Sequence, residues 1–122
     1  MTSVLDASVV LAFLLGEPGA DLVEGALAGD PRCGAANWSE VAQRVLGAGR
    51  DWDQARALLE SYSVRVEPVT SDDAEWAAHR WRPGEGLSLA DRLCLALGER
   101  LDAELLTADK SWGHSGRIVQ IR

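Results

Sequence analysis

Lysine is nearly absent from this sequence: Lys110 is the only one in 122 residues. Phe, Tyr and Met occur once each, and Cys and His twice. Each scarcity excludes something. With 12 basic residues against 19 acidic ones and a formal net charge of −7, overall charge supplies no long-range attraction to nucleic acid or anionic lipid. The two cysteines, Cys33 and Cys94, lie far apart and outside any CxxC pattern. A disulfide scaffold is therefore not expected, and a reducing compartment, the cytoplasm, is the natural location. His79 and His114 have no partner at ligand spacing, so zinc is not expected either. The apolar run Val9 to Leu15 follows no basic residue and falls far short of the roughly 18 residues of a membrane span. Neither an export signal nor a membrane anchor is expected.

What is present is ordinary globular material, 47% hydrophobic and 25% charged, enough for one domain over residues 1–122. The chain reads as strands alternating with helices. Ser3 to Asp6 is a short strand ending in an acid and passes at once into a helix over Ala7 to Leu15. Glu17-Pro18-Gly19 punctuates, and Ala20 to Ala28 carries Leu22, Val23, Ala26 and Leu27 at helical spacing until Gly29-Asp30-Pro31. Cys33 to Ala36 reads as a buried strand of small residues, and Asn37 opens a helix that ends at Gly47-Ala48-Gly49. A helix over Trp52 to Tyr62, an alternating strand over Val64 to Val69 and a helix over Ser71 to Trp81 come next. After the Pro83-Gly84-Glu85-Gly86 loop come a helix from Leu89 to Leu101, a strand from Ala103 to Thr107 and a last strand from Ile118 to Ile121. This order predicts an α/β fold with a mostly parallel sheet covered on both faces, whose ligands collect at the carboxyl ends of the strands.

Four acids stand at strand or helix boundaries. Asp6 closes the first strand, Asp109 comes just after the strand that ends at Thr107, and Glu40 and Asp91 lie in the first turns of their helices. Each has a plain structural role available. Asn37-Trp38-Ser39-Glu40 and Ser88-Leu89-Ala90-Asp91 both have the form of a capping box, and Asp6 and Asp109 are placed to cap the segments directly after them. Ser71-Asp72-Asp73-Ala74-Glu75 reads as a cap with no chemistry. Clustering separates function from capping, because several unpaired carboxylates on one rim are unfavourable unless protons or cations compensate them. A hard dication such as Mg²⁺ is the simplest compensation for a site of Asp and Glu without His or Cys.

The segments Val4-Leu5-Asp6-Ala7-Ser8, Ser39-Glu40-Val41-Ala42, Leu87 to Ala96 and Leu105-Leu106-Thr107-Ala108-Asp109-Lys110 resemble, in order and spacing, the successive motifs of PIN-domain ribonucleases, especially the toxins of VapBC-type toxin-antitoxin pairs. The resemblance spans almost the whole chain. It implies a single PIN-like domain with a mostly parallel five-stranded sheet flanked by helices. It implies that Asp6, Glu40, Asp91 and Asp109 bind Mg²⁺ or Mn²⁺ and carry catalysis, with Ser8 and Thr107 supporting them. It also implies an RNA substrate, a cognate antitoxin and a homodimer. Gln43 departs from the Asn that such toxins often carry three residues after the Glu.

The expected activity is hydrolysis of RNA phosphodiester bonds by an endoribonuclease toxin, with metal-activated water. Removing the four proposed ligands changes the formal charge from −7 to −3, which weakens the objection from net charge. Arg92, directly after Asp91, is the first candidate to meet a substrate phosphate, while Arg44, Arg80, Arg82 and Lys110 read as solvated surface charges. Trp38 and Trp112 flank proposed ligands at positions where a base could stack, but core or interface packing is the commoner use of Trp. The alternative is a catalytically silent PIN-like module that holds protein or RNA. An aspartyl-phosphate enzyme ranks lower, since Asp6-Ala7-Ser8 lacks a second acid two residues on. Leu22, Val23, Leu58 and Leu59 either complete the core or leave an apolar surplus for a partner.

Overall fold

A computed structural model describes all residues from Met1 to Arg122. The strands β1 (Thr2–Leu5), β2 (Asp30–Gly34), β3 (Arg65–Glu67), β4 (Glu104–Thr107) and β5 (Ile118–Gln120) form one sheet in the order β3-β2-β1-β4-β5. Every neighbouring pair is parallel. Six helices connect them: α1 (Ala7–Leu15), α2 (Ala20–Leu27), α3 (Ala35–Gly47), α4 (Trp52–Ser61), α5 (Ser71–Arg80) and α6 (Leu89–Leu101). A single 3-10 turn covers Lys110–Trp112.

The pleat distributes the strand side chains between two cores. Leu5 and Leu106 face a large cluster with Val9, Val10, Val23, Val41 and Leu59, on the side of α1 to α4. Val4 and Leu105, one residue earlier on each strand, face the opposite side with Cys94 and Leu97 of α6. This is the period-two alternation of a sheet buried on both faces. Register Leu5↔Leu106 brings the ends of β1 and β4 level, and the Asp6 amide donates to the Leu106 carbonyl at 3.0 Å, extending the ladder by one residue. The chain winds outward from β1 through β2 to β3, then crosses back to β4 and β5. The carboxyl ends of β1 and β4 therefore flank the point where strand order reverses, the usual crevice of an open parallel sheet.

Three local expectations are corrected. The second strand is Asp30–Gly34, not Cys33 to Ala36. Asp30 and Pro31, whose types mark a turn, are held in the sheet: Pro31 lies near the strand start, where a missing donor is tolerated, and Arg32 joins Asp30 to Glu67 of β3. Because β2 ends earlier, α3 begins at Ala35, so Asn37 is inside the helix and does not cap it. The Val64 to Val69 strand shrinks to Arg65–Glu67 at the sheet edge, where Val66 and Val69 are each 43% exposed. Of the apolar quartet on α2 and α4, Val23 and Leu59 are core, while Leu22 and Leu58 are each 44% exposed.

Candidate active site

Asp6, Glu40, Asp91 and Asp109 all line one open cavity of about 310 Å³, together with Ser8, Leu11, Gln43 and Arg44. Each acid reaches it from a different element. Asp6 is the N-cap of α1: its Oδ1 accepts from the Ala7 amide at 2.8 Å. Its Oδ2 accepts from Ser8 Oγ at 2.7 Å and from Thr107 Oγ1 at 2.9 Å. Thr107 is fully buried and also accepts from the Asp109 amide at 3.0 Å, and Ser8 Oγ accepts from the Ala108 amide at 3.0 Å. Two hydroxyls, those of Ser8 and Thr107, thus tie Asp6 to the backbone just beyond β4.

Asp91 closes a true capping box, its Oδ2 accepting from the Ser88 amide at 2.9 Å while Ser88 Oγ accepts from the Asp91 amide at 3.0 Å. Capping and cavity lining are compatible, because the start of α6 meets the rim. Asp109 caps the 3-10 turn, with Oδ1 accepting from the amide and hydroxyl of Ser111. Glu40 makes no capping box. Its Oε1 instead accepts from Asn37 Nδ2 at 3.0 Å, one helical turn earlier.

One pattern recurs in these four side chains. Asp91, Asp109 and Glu40 each have one oxygen held by donors from the protein and the other, Oδ1, Oδ2 and Oε2 respectively, accepting nothing. Asp6 Oδ1 accepts a single bond and keeps a lone pair. None of the four is in an ion pair, although the chain forms such pairs elsewhere with Arg32, Arg56, Arg80, Arg100 and Arg117. Burial pushes the Asp6 carboxyl above its ordinary range, the hydrogen bonds from Ser8 and Thr107 oppose the shift, and the charge of Asp91 adds to it.

No three of the His, Cys, Asp and Glu side chains close into a ready-made ligand cluster. The donor set nevertheless suits a hard dication in an open site: oxygen only, uncompensated, oriented by hydrogen-bond donors of the protein, and spread around a cavity large enough for the waters that Mg²⁺ retains. Soft-metal or thiolate chemistry does not fit. Cys33 and Cys94 are buried, and burial, with the nearby Asp6 and Glu40 charges, pushes the Cys33 thiol up to about 12 and that of Cys94 well above the ordinary thiol range. Both histidines are exposed and lie outside the cavity.

The basic residue in the wall is Arg44, not Arg92. One position along a helix turns a side chain by roughly 100°, and Arg92 is turned off the face of Asp91 to donate through Nη1 to the Ala77 carbonyl of α5 at 2.8 Å. Arg44 lies four residues after Glu40 and so shares its helix face, a spacing that identifies it from sequence once Glu40 is chosen. The tryptophans also serve packing: Trp112 is buried in the smaller core, and Trp38 meets Trp52 edge to face at 5.3 Å. Asn37, read from sequence as a helix opener, is the residue most clearly missed. It is 1% exposed and bonded to an acid of the cavity.

The fold and the chain are shared with known proteins. In structure, a toxin-antitoxin complex from Klebsiella pneumoniae superposes with a TM-score of 0.82 at 18% identity, covering 98% of each chain. VapC20 of Mycobacterium tuberculosis, a Sarcin-Ricin loop cleaving toxin, gives 0.67 at 20% identity over 84% of this chain and 86% of its own. In sequence, a VapC ribonuclease of Mycobacterium bovis and ribonuclease VapC42 of Mycobacterium tuberculosis are each 30% identical, over 92% of this chain and 94% of theirs. The family model described as the PIN domain matches residues 3–116, which contain all four acids. Those residues carry strands β1 to β4 and the acidic crevice where the strand order reverses, and the protein belongs to the PIN domain family.

Proposed function

We propose that the protein is a metal-dependent endoribonuclease, the toxin of a toxin-antitoxin pair, and that it hydrolyses RNA phosphodiester bonds in the acidic cavity. The observation that carries this reading is the convergence of Asp6, Glu40, Asp91 and Asp109 on one cavity in a chain 30% identical to VapC ribonucleases. Asp6, Glu40, Asp91 and Asp109 would hold Mg²⁺ or Mn²⁺ through their unengaged lone pairs. A dication bound there supplies acidification of water and stabilisation of charge on the phosphoryl and leaving oxygens. Ser8 and Thr107 hold the Asp6 carboxylate in one orientation. Arg44, the one basic residue lining the same cavity, offers a cation for a phosphate to approach.

A cognate antitoxin is the expected partner, supported by the toxin-antitoxin complexes among the structural relatives. It would inhibit by covering this cavity, and the toxin is expected to pair as a homodimer. The cytoplasm is where such a nuclease meets its RNA. No helix is long and apolar enough to cross a membrane.

The test is cleavage of a mixed cellular RNA pool by the purified, antitoxin-free protein. Cutting is expected with Mg²⁺ or Mn²⁺, and none with EDTA or in Asp91→Asn, whose amide oxygen still accepts from the Ser88 amide and preserves the cap. A folded protein that cuts under no metal would reassign the domain as a silent binding module. The supporting hydroxyls have their own signature. Thr107→Val keeps the shape of a fully buried side chain but removes a donor to Asp6 and an acceptor for the Asp109 amide. Removing such an orienting partner is expected to lower the cleavage rate about 10- to 100-fold and stability by about 1–3 kcal/mol, read by initial rates and thermal melting.

A further inference from the structure

We propose that Asn37 is the positioning residue that fixes Glu40 relative to Asp91, and so sets the spacing at which the acidic cavity takes its dication. The proposal deepens the nuclease reading and rests on it. One amide group spans the two helices concerned. Asn37 Nδ2 donates one hydrogen to Glu40 Oε1 at 3.0 Å within α3, and the other to the carbonyl of Ala90 at 3.3 Å, the residue that immediately precedes Asp91 at the start of α6. Both hydrogens of the amide nitrogen are thereby used.

The opposite orientation of the amide would set its carbonyl oxygen against a carboxylate and a backbone carbonyl, two acceptors with no hydrogen between them, so the chemistry of the neighbours fixes which atom is the nitrogen. The remaining atom identifies the role. Asn37 Oδ1 is buried and accepts no hydrogen bond. Buried polar side-chain atoms are ordinarily paired, and an apolar side chain of similar volume would avoid leaving this acceptor without a partner. An asparagine that serves only the interior has no reason to be here; one that must present two donors toward the cavity has. Gly34 leaves room for it, since a Cβ on Gly34 would come within 3.1 Å of Asn37 Oδ1. The arrangement is the carboxylate counterpart of the outer hydrogen bonds that orient metal-ligating side chains elsewhere.

The test is a double-mutant cycle on Mn²⁺ affinity, measured by calorimetric titration of the purified full chain, with melting curves confirming that each variant is folded. Asn37→Leu is expected to weaken Mn²⁺ binding about 10-fold or more in the wild-type background. In a Glu40→Gln background, where the carboxylate it orients is gone, the same change is expected to add nothing. If Leu is not accommodated at position 37, Asn37→Ala carries the same pair of outcomes. Affinity within twofold of wild type, or an equal loss in both backgrounds, overturns the assignment and leaves Asn37 a packing residue. A wild-type protein that binds no Mn²⁺ removes the metal reading of the cavity itself, and the assignment with it.

Discussion

Asp6→Asn is expected to raise the melting temperature of the metal-free protein while removing its metal-dependent RNA cleavage. The two effects have one cause. Asp6 is 5% exposed and has no cationic partner, and its carboxyl is held above the ordinary value by burial and by the neighbouring Asp91 charge, against the hydrogen bonds of Ser8, Thr107 and Ala7. A carboxyl whose pKa is higher in the fold than in the unfolded chain binds more protons in the native state, so stability falls as pH rises from the ordinary value of 3.8 through the higher folded value. Above that window the ionised form is a standing cost. Asparagine keeps the acceptor for the Ala7 amide, removes the charge, and turns its Nδ2 toward the Ser8 and Thr107 hydroxyls, which then accept where they had donated. A gain of 1 kcal/mol in a domain of this size is worth about 4 °C, and a rise of a few degrees at neutral pH is expected, shrinking toward zero below pH 4. Adding Mn²⁺ should then raise the melting temperature of the wild type but not of the variant, because only the wild type binds. Loss of the dication's charge stabilisation is expected to lower the cleavage rate on the order of 10³-fold. An Asp6→Asn protein that melts lower than wild type across the pH range, or that cuts at the wild-type rate, would contradict the account.

Asp73→Ala should do the reverse, costing stability and leaving the chemistry of the folded molecule alone. Asp73 is also 5% exposed, but it is fully engaged. Its Oδ1 accepts from Arg100 Nε at 3.0 Å, joining α5 to α6, and its Oδ2 accepts from the Thr70 amide at 3.1 Å in a capping box. Burial alone would raise its pKa; the hydrogen bonds from Arg100 and Thr70 and the Arg100 charge outweigh burial and hold it below 3.8. Stability from such a group is present above 3.8 and is lost as pH falls through the lower folded value. Removing a helix cap together with a largely buried ion-pair partner is expected to cost about 2–3 kcal/mol, or roughly 10 °C. Asp73 lies outside the acidic cavity, so the cleavage rate per folded molecule should stay within about twofold. Thermal melts from pH 3 to 8, paired with active-fraction kinetics, distinguish the two acids: one destabilises when ionised, the other when protonated.

These two aspartates look alike in the sequence, each at the start of a helix and each directly before an alanine. The Ser71 to Glu75 segment does carry a cap, with Thr70 rather than Ser71 as the capping residue. For Asp91 the choice between capping and cavity lining dissolves, because the residue does both: Oδ2 makes the cap, Oδ1 accepts nothing, and the residue lines the cavity at the start of its helix. For Glu40 the capping reading fails, since the helix starts two residues before Asn37. A cap motif depends on where the helix begins, and that boundary was decided by β2 starting at Asp30 and ending at Gly34.

The alternation of short apolar strands with amphipathic helices, the parallel sheet, and the placement of Asp6 and Asp109 at strand ends were all legible without coordinates. They arise from local backbone geometry, in which side-chain direction repeats every 2 residues in a strand and every 3.6 in a helix. Tertiary structure decided which of those local directions meet. It brought α3 and α6 to the crevice between β1 and β4, put Arg44 in the cavity wall while Arg92 turned to α5, and buried Asn37 between Glu40 and Ala90. Contacts between residues 53 positions apart, such as Asn37 and Ala90, arise from strand order and helix packing. Those are collective properties of the folded chain, and neither spacing nor composition encodes them locally.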